Sequence, residues 1–162
     1  MRQVLQFAFI TICTAAVAQV TARQGDVKQT AFASPMVLEA PFPLTTDAKG
    51  SRVALTAFRN YECDGIALVT LMFDVLEHRT NQAKIQAAAI VKNRGHGDRL
   101  VDVLIETLSG AAVIDKCQIR RMDAEDHNKS ATGKGVIFLP AGRVSAEPQL
   151  TMRITVTVMP NN

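Results

Sequence analysis

The sequence predicts an all-β fold, a two-sheet antiparallel sandwich of about seven strands carrying one disulfide. Three observations lead there. Leu150, Met152, Ile154, Val156 and Val158 alternate with Thr151, Arg153, Thr155 and Thr157, a period of two with β-branched residues on both faces. Further short strand-like segments recur along the chain between glycine and proline turn signatures. Two cysteines, Cys63 and Cys117, lie beyond the first 18 residues and make an even pair.

The chain opens with an export signal. Arg2 is the only charge before Arg23, Val4 to Val17 is mostly apolar, and Ala16-Val17-Ala18 offers small residues where a signal peptidase reads them. The apolar stretch falls short of the roughly 20 residues of a membrane span. Residues 1–18 therefore read as a cleaved signal, 19–34 as a polar flexible leader, and 35–162 as a single β-sandwich domain. The mature chain is expected in the periplasm or secreted, with no span of its own. In that compartment Cys63 and Cys117 are expected to pair. The bridge would close about 55 residues and contribute roughly 4 kcal/mol by loop entropy.

Each element follows from local pattern. Pro35, Pro41 and Pro43 bracket 36–44, which suits an extended edge strand. Residues 45–50 read as a turn and 53–61 as a strand. The run 66–76 is apolar on nearly every side, and 82–92 combines helix-forming residues with alternating Ile85, Ala87, Ala89 and Val91. Strands are expected for both; the alternative is an α+β fold with one or two helices in 66–92. Val101, Val103 and Ile105 oppose Asp102 and Glu106, and Ser109-Gly110 turns this strand into 112–122. Residues 123–134 read as a long polar loop, and Gly133-Lys134-Gly135 at its end as a turn. Val136 to Leu139 is a short strand ended by Pro140-Ala141-Gly142.

The rhythm from Ile85 to Val158 resembles bacterial extracytoplasmic immunoglobulin-like or fibronectin-like modules. The resemblance rests on the polar turn Val91-Lys92-Asn93-Arg94-Gly95, the alternating strand 101–107, the turn at Ser109-Gly110 and the Leu139-Pro140-Ala141-Gly142 corner. It implies an immunoglobulin-like sandwich. The chain departs from antibody-type domains, with no Trp and with Asp115 where a Tyr would stand two residues before Cys117.

Composition excludes some functions. Without Arg2 the mature chain carries 17 basic and 15 acidic side chains, so a nucleic-acid interface is not expected. Tyr61 is the one Tyr and there is no Trp, which disfavours sugar stacking. Gly133-Lys134-Gly135 lacks the flanking residues of a phosphate loop, and no Gly-x-Ser-x-Gly elbow occurs. Asp74 stands alone in an apolar run and is read as facing outward. No cofactor or catalytic residue is assigned. His96 and Asp98 in loop 94–99, with Asp126 and His127 in loop 123–134, are the candidate metal ligands should the loops meet. Thr151, Arg153, Thr155 and Thr157 mark a candidate edge for an added partner strand. The expected function is non-enzymatic protein–protein interaction by an exported envelope, surface or secretion-associated module. The alternative is a small-ligand or metal binder using the two loops.

Overall fold

The computed structural model describes residues 30–43, 52–79, 81–140 and 150–161, apart from the side chains of Thr30 and His78. The expected signal, most of the leader, and the turns expected at 45–50 and 141–142 lie outside these residues. Among the described residues ten strands, not the expected seven or so, carry the fold: β1 (Thr30–Phe32), β2 (Met36–Pro41), β3 (Arg52–Leu55), β4 (Tyr61–Cys63), β5 (Ile66–His78), β6 (Gln82–Asn93), β7 (Arg99–Ser109), β8 (Ala112–Ala124), β9 (Ser130–Pro140) and β10 (Thr151–Pro160). Among the described residues there is no helix, so none is long and apolar enough to cross a membrane.

The strands make two sheets. One runs β1-β4-β5-β6-β9, with β3 also paired to β5; the other runs β2-β10-β7-β8. Every pair is antiparallel except β1–β4, which is parallel and so departs from the purely antiparallel expectation. The chain folds as hairpins β5–β6 and β7–β8, changes sheet between β6 and β7, then again on either side of β9. The inner faces meet in one core, in which Leu38, Ile66, Leu71, Phe73, Ile85, Ile105, Ile137, Met152 and Ile154 are fully buried. This two-sheet arrangement is consistent with a sandwich.

The ambiguous segments are both strands. Along β6, Ala83, Ile85, Ala87, Ala89 and Val91 face inward in strict alternation, so face pattern overrides helix propensity. In β5 the ladder shifts register between Leu68 and Thr70 and between Val75 and Glu77. The first bulge moves the inward set from Ile66 and Leu68 to Leu71, Phe73 and Val75. That switch from even to odd positions is why no single period is legible there. The same happens in β8. Cys117 and Ile119 face inward, then Met122 and Ala124, with Arg121 at φ 51° between them and its N–H donating to Asp102 at 2.7 Å.

Several expectations are corrected. Thr30–Phe32 pairs with β4, so the chain is ordered in a sheet before residue 34. The strand expected over 53–61 is two, β3 and β4, separated by a turn. The long loop 123–134 shrinks to 125–129, because β8 continues to Ala124 and β9 begins at Ser130. Gly133-Lys134-Gly135 lies inside β9, not in a turn. A Cβ on Gly133 would stand 2.2 Å from Ile119 Cγ2, and one on Gly135 2.9 Å from Cys117 Sγ. These glycines let β9 press against β8, the facing border strand of the other sheet.

The expected disulfide is absent: Cys63 and Cys117 are both free and buried. Cys63 Sγ lies 3.9 Å from the Val156 carbonyl oxygen on β10. Cys117 sits on β8, with β7 between it and β10. Two strand spacings come to about 10 Å, whereas a bridge needs Cα atoms within about 7 Å. Even parity of cysteine number says nothing about such placement.

Candidate functional site

The loop end of the fold is organised by Asn93, the last residue of β6 and fully buried. Its Nδ2 donates to the carbonyls of Gly97 at 2.8 Å and Ala124 at 3.0 Å, and its Oδ1 accepts the Gly95 N–H at 3.0 Å. Its own N–H donates to the Lys129 carbonyl at 3.1 Å. The side-chain amide thus binds the β6–β7 loop and the end of β8, and the backbone N–H of the same residue binds the residue before β9; buried amides require such satisfaction. The Arg94 and Gly95 N–H groups both donate to the Gly65 carbonyl. Gly65, at φ 80°, lies so close to Gly95 that a Cβ there would be 2.9 Å from the Gly95 Cα.

This network brings the two candidate loops together. The Asp126 N–H donates to Asp98 Oδ1 at 2.9 Å. Asp126 in turn accepts the His127 N–H at 2.6 Å. Hydrogen bonds from the His127 and Gly97 amides hold the Asp126 carboxyl below the usual carboxylate range, and the nearby imidazoles of His127 and His96 add to this. His96 and His127 are exposed, and His127 Nε2 lies 3.7 Å from Asp126 Oδ2. Lys129 closes the loop on Glu125. Asp98 and Asp126 therefore serve as acceptors that pin main-chain N–H groups, the usual use of Asp in tight loops. Among the described residues no three His, Cys, Asp or Glu side chains converge to hold a metal. Asn93, which does most to shape this end, was legible only as part of a polar turn.

The second candidate, β10, is not an edge. It pairs with β2 over Thr151–Val156 on one side and with β7 over its whole length on the other. Beyond β2, Ser34 Oγ accepts the Val158 N–H at 3.0 Å and lies 3.4 Å from the Val158 carbonyl. Thr151, Arg153, Thr155 and Thr157 face outward on an interior strand. Arg153 bonds Glu39 Oε1 at 2.8 Å on β2 and lies 3.7 Å from Glu106 on β7, with Lys116 of β8 next in the row. The alternation marked a strand correctly; strand order is set by contacts remote in sequence.

The remaining surface features are modest. Asp74 faces outward and receives Arg52 Nε at 2.5 Å and Nη2 at 3.2 Å from the register-opposed β3. A hollow of about 170 Å³ is lined by Glu77, Arg79, Gln82, Lys84 and the exposed Phe138, with Glu77 already paired to Arg79 at 2.9 Å. Burial first, then nearby Asp115, pushes the Cys117 thiol up to about 11. Burial, then Asp64, also raises Cys63.

No family model matches this chain, and no curated protein matches it. Among solved structures, it aligns with the Stig cyclase Fisc from Fischerella sp. TAU, in complex with a pyrrolidinylidene indole. That alignment covers 88% of this chain and 81% of the other at 10% identity with a TM-score of 0.17, and it carries no argument about fold or function.

Proposed function

We propose that this chain is an exported, immunoglobulin-like β-sandwich that works by protein–protein contact, as an envelope, surface or secretion-associated module. One observation carries the reading. The seat beside the C-terminal strand β10 is filled by β2 from the opposite end of the chain, held by a strand ladder, inward side chains and the Glu39–Arg153 pair. That is the physical recipe for accepting an extended peptide at a sheet. The amino-terminal pattern of residues 1–18 supports export. The carboxylates of the loop end are engaged in fastening their own backbone, which favours interaction over ligand chemistry.

Native mass spectrometry of the protein recovered from its own exported fraction tests this. A stoichiometric complex with a polypeptide is the expected result. A stoichiometric metal or small molecule, lost on His96→Ala/His127→Ala substitution, would overturn it in favour of a ligand-binding role for the two loops.

A further inference from the structure

The seat beside β10 also suggests who the partner is. We propose that residues 30–42 form an exchangeable strap, and that the seat they occupy accepts the same strap from a second copy of this chain. The inference rests on the interaction reading above and specifies its partner.

The strap makes its contacts as one short linear segment. β2 runs antiparallel to β10 with Val37 opposite Thr155 and Glu39 opposite Arg153. Met36 and Leu38 are fully buried, and Phe42 packs edge-on against Phe73 of β5 at 5.5 Å between ring centroids. The Phe42 N–H donates to the Leu150 carbonyl at 2.7 Å. Ahead of β2, β1 pairs with β4 in the other sheet, and the Ser34 N–H donates to Asp64 Oδ2 at 3.2 Å. Main-chain bonds along a strand with alternate side chains in the core is how a donated strand is read.

The groove's fit to this sequence is shown by its present occupant. A second copy offers the same residues, so every contact can be remade between chains. The two states then differ only in the connection and the entropy of association. The connection from the strap to β3 is residues 43–51, and nine residues reach at most about 32 Å when extended.

The opposite border of the sandwich is guarded against strand pairing. β8 carries two register shifts and presents Lys116, Arg120 and Arg121 to solvent. On β9 the outward N–H of Phe138 is taken by Asp115 Oδ2 at 2.6 Å, and Lys134 is exposed. Bulges, charges and capped N–H groups are how sheets refuse edge-on partners. Exchange is thereby directed to the strap side.

The test uses full-length chains. Val37→Cys copies are mixed with mass-distinguished Thr155→Cys copies, held just below the unfolding midpoint, cooled and oxidised. A covalent heterodimer joined through positions 37 and 155 is expected. The Val37→Cys/Thr155→Cys double variant, oxidised beforehand, should close within one chain and stay monomeric, while the unsubstituted chain forms dimers or longer chains under the same treatment. The proposal is overturned if the double variant closes but the mixture yields no heterodimer. It is equally overturned if the unsubstituted chain stays monomeric, or if the closed variant associates as readily as the open one. A monomer that still recovers a different polypeptide from the exported fraction would refute exchange and leave the interaction reading standing.

Discussion

Replacing Gly133 by Ala tests the close approach of β8 and β9. The added Cβ would lie 2.2 Å from Ile119 Cγ2, 2.8 Å from Met122 Sδ and 2.9 Å from Met122 Cγ. Carbon–carbon contact is comfortable near about 3.5–4.0 Å, so the first intrusion exceeds an ångström. Met122 has rotatable bonds with which to yield. Ile119 is β-branched, buried and fixed in a strand. Over-packing usually costs about 1–3 kcal/mol, and a clash with a stiff partner belongs near the top, about 3. With a urea slope of about 2 kcal/mol/M, the unfolding midpoint should fall by about 1.5 M at unchanged slope. Ile119→Ala removes the obstructing methyl and alone costs roughly 2–5 kcal/mol. Combined with Gly133→Ala, the total should fall short of the sum by more than about 1 kcal/mol. Urea titrations of the four proteins decide. A Gly133→Ala midpoint indistinguishable from the parent, or strictly additive costs, would refute the argument that β9 needs glycine there.

Four further outcomes are expected. Asn93→Ala removes the three side-chain hydrogen bonds that tie the β6–β7 loop to the end of β8, leaves the backbone bond to Lys129, and should cost about 3 kcal/mol in urea unfolding, given about 1 kcal/mol per lost bond. Thr107→Val should stabilise by about 1 kcal/mol, because the buried Thr107 Oγ1 has no hydrogen-bond partner; a loss of stability in the same titration would contradict this. Cys117 ionises near pH 9 when unfolded but near 11 in the fold, so the folded thiol keeps its proton longer. Its contribution should therefore be complete below pH 9 and fall as pH rises toward 11, and Cys117→Ala should flatten that decline in stability measured against pH. Arg153→Ala should cost about 0.5–1 kcal/mol, less in high salt, in keeping with a partly exposed ion-pair row.

Strand content was legible wherever one register holds along a strand. β10, the first half of β7 and β6 keep a single inward set, so their alternation reads directly in the letters. β5 and β8 were partly hidden because bulges at Val69 and Arg121 switch the inward parity mid-strand. Order within the sheets was not legible at all. Nothing local to Thr151–Thr157 tells that a strand more than a hundred residues earlier covers its flank. The cysteines misled for a related reason, since their count is local knowledge and their separation is not. At the loop end, the sequence named the aspartates that touch. It could not name Asn93 as the hub, because the carbonyls that it binds come from three separate stretches.

The pairing of β2 with β10 has a mechanical consequence. The start of β2 lies beside the end of β10, Met36 opposite Val156, so tension applied to the two ends of the chain enters the ladder at the same place. Such a load opens an antiparallel pair one bond after another, as a zipper, instead of shearing all its bonds together. On the amino-terminal side the β1–β4 pairing and the Ser34–Asp64 bond take the strain first, then the contacts of Ser34 with Val158, then Met36, then Leu38. A molecule tethered at both ends loads β10 on both flanks, since its end also lies beside the start of β7, and the β2 ladder of six residue pairs should yield before the β7 ladder of ten.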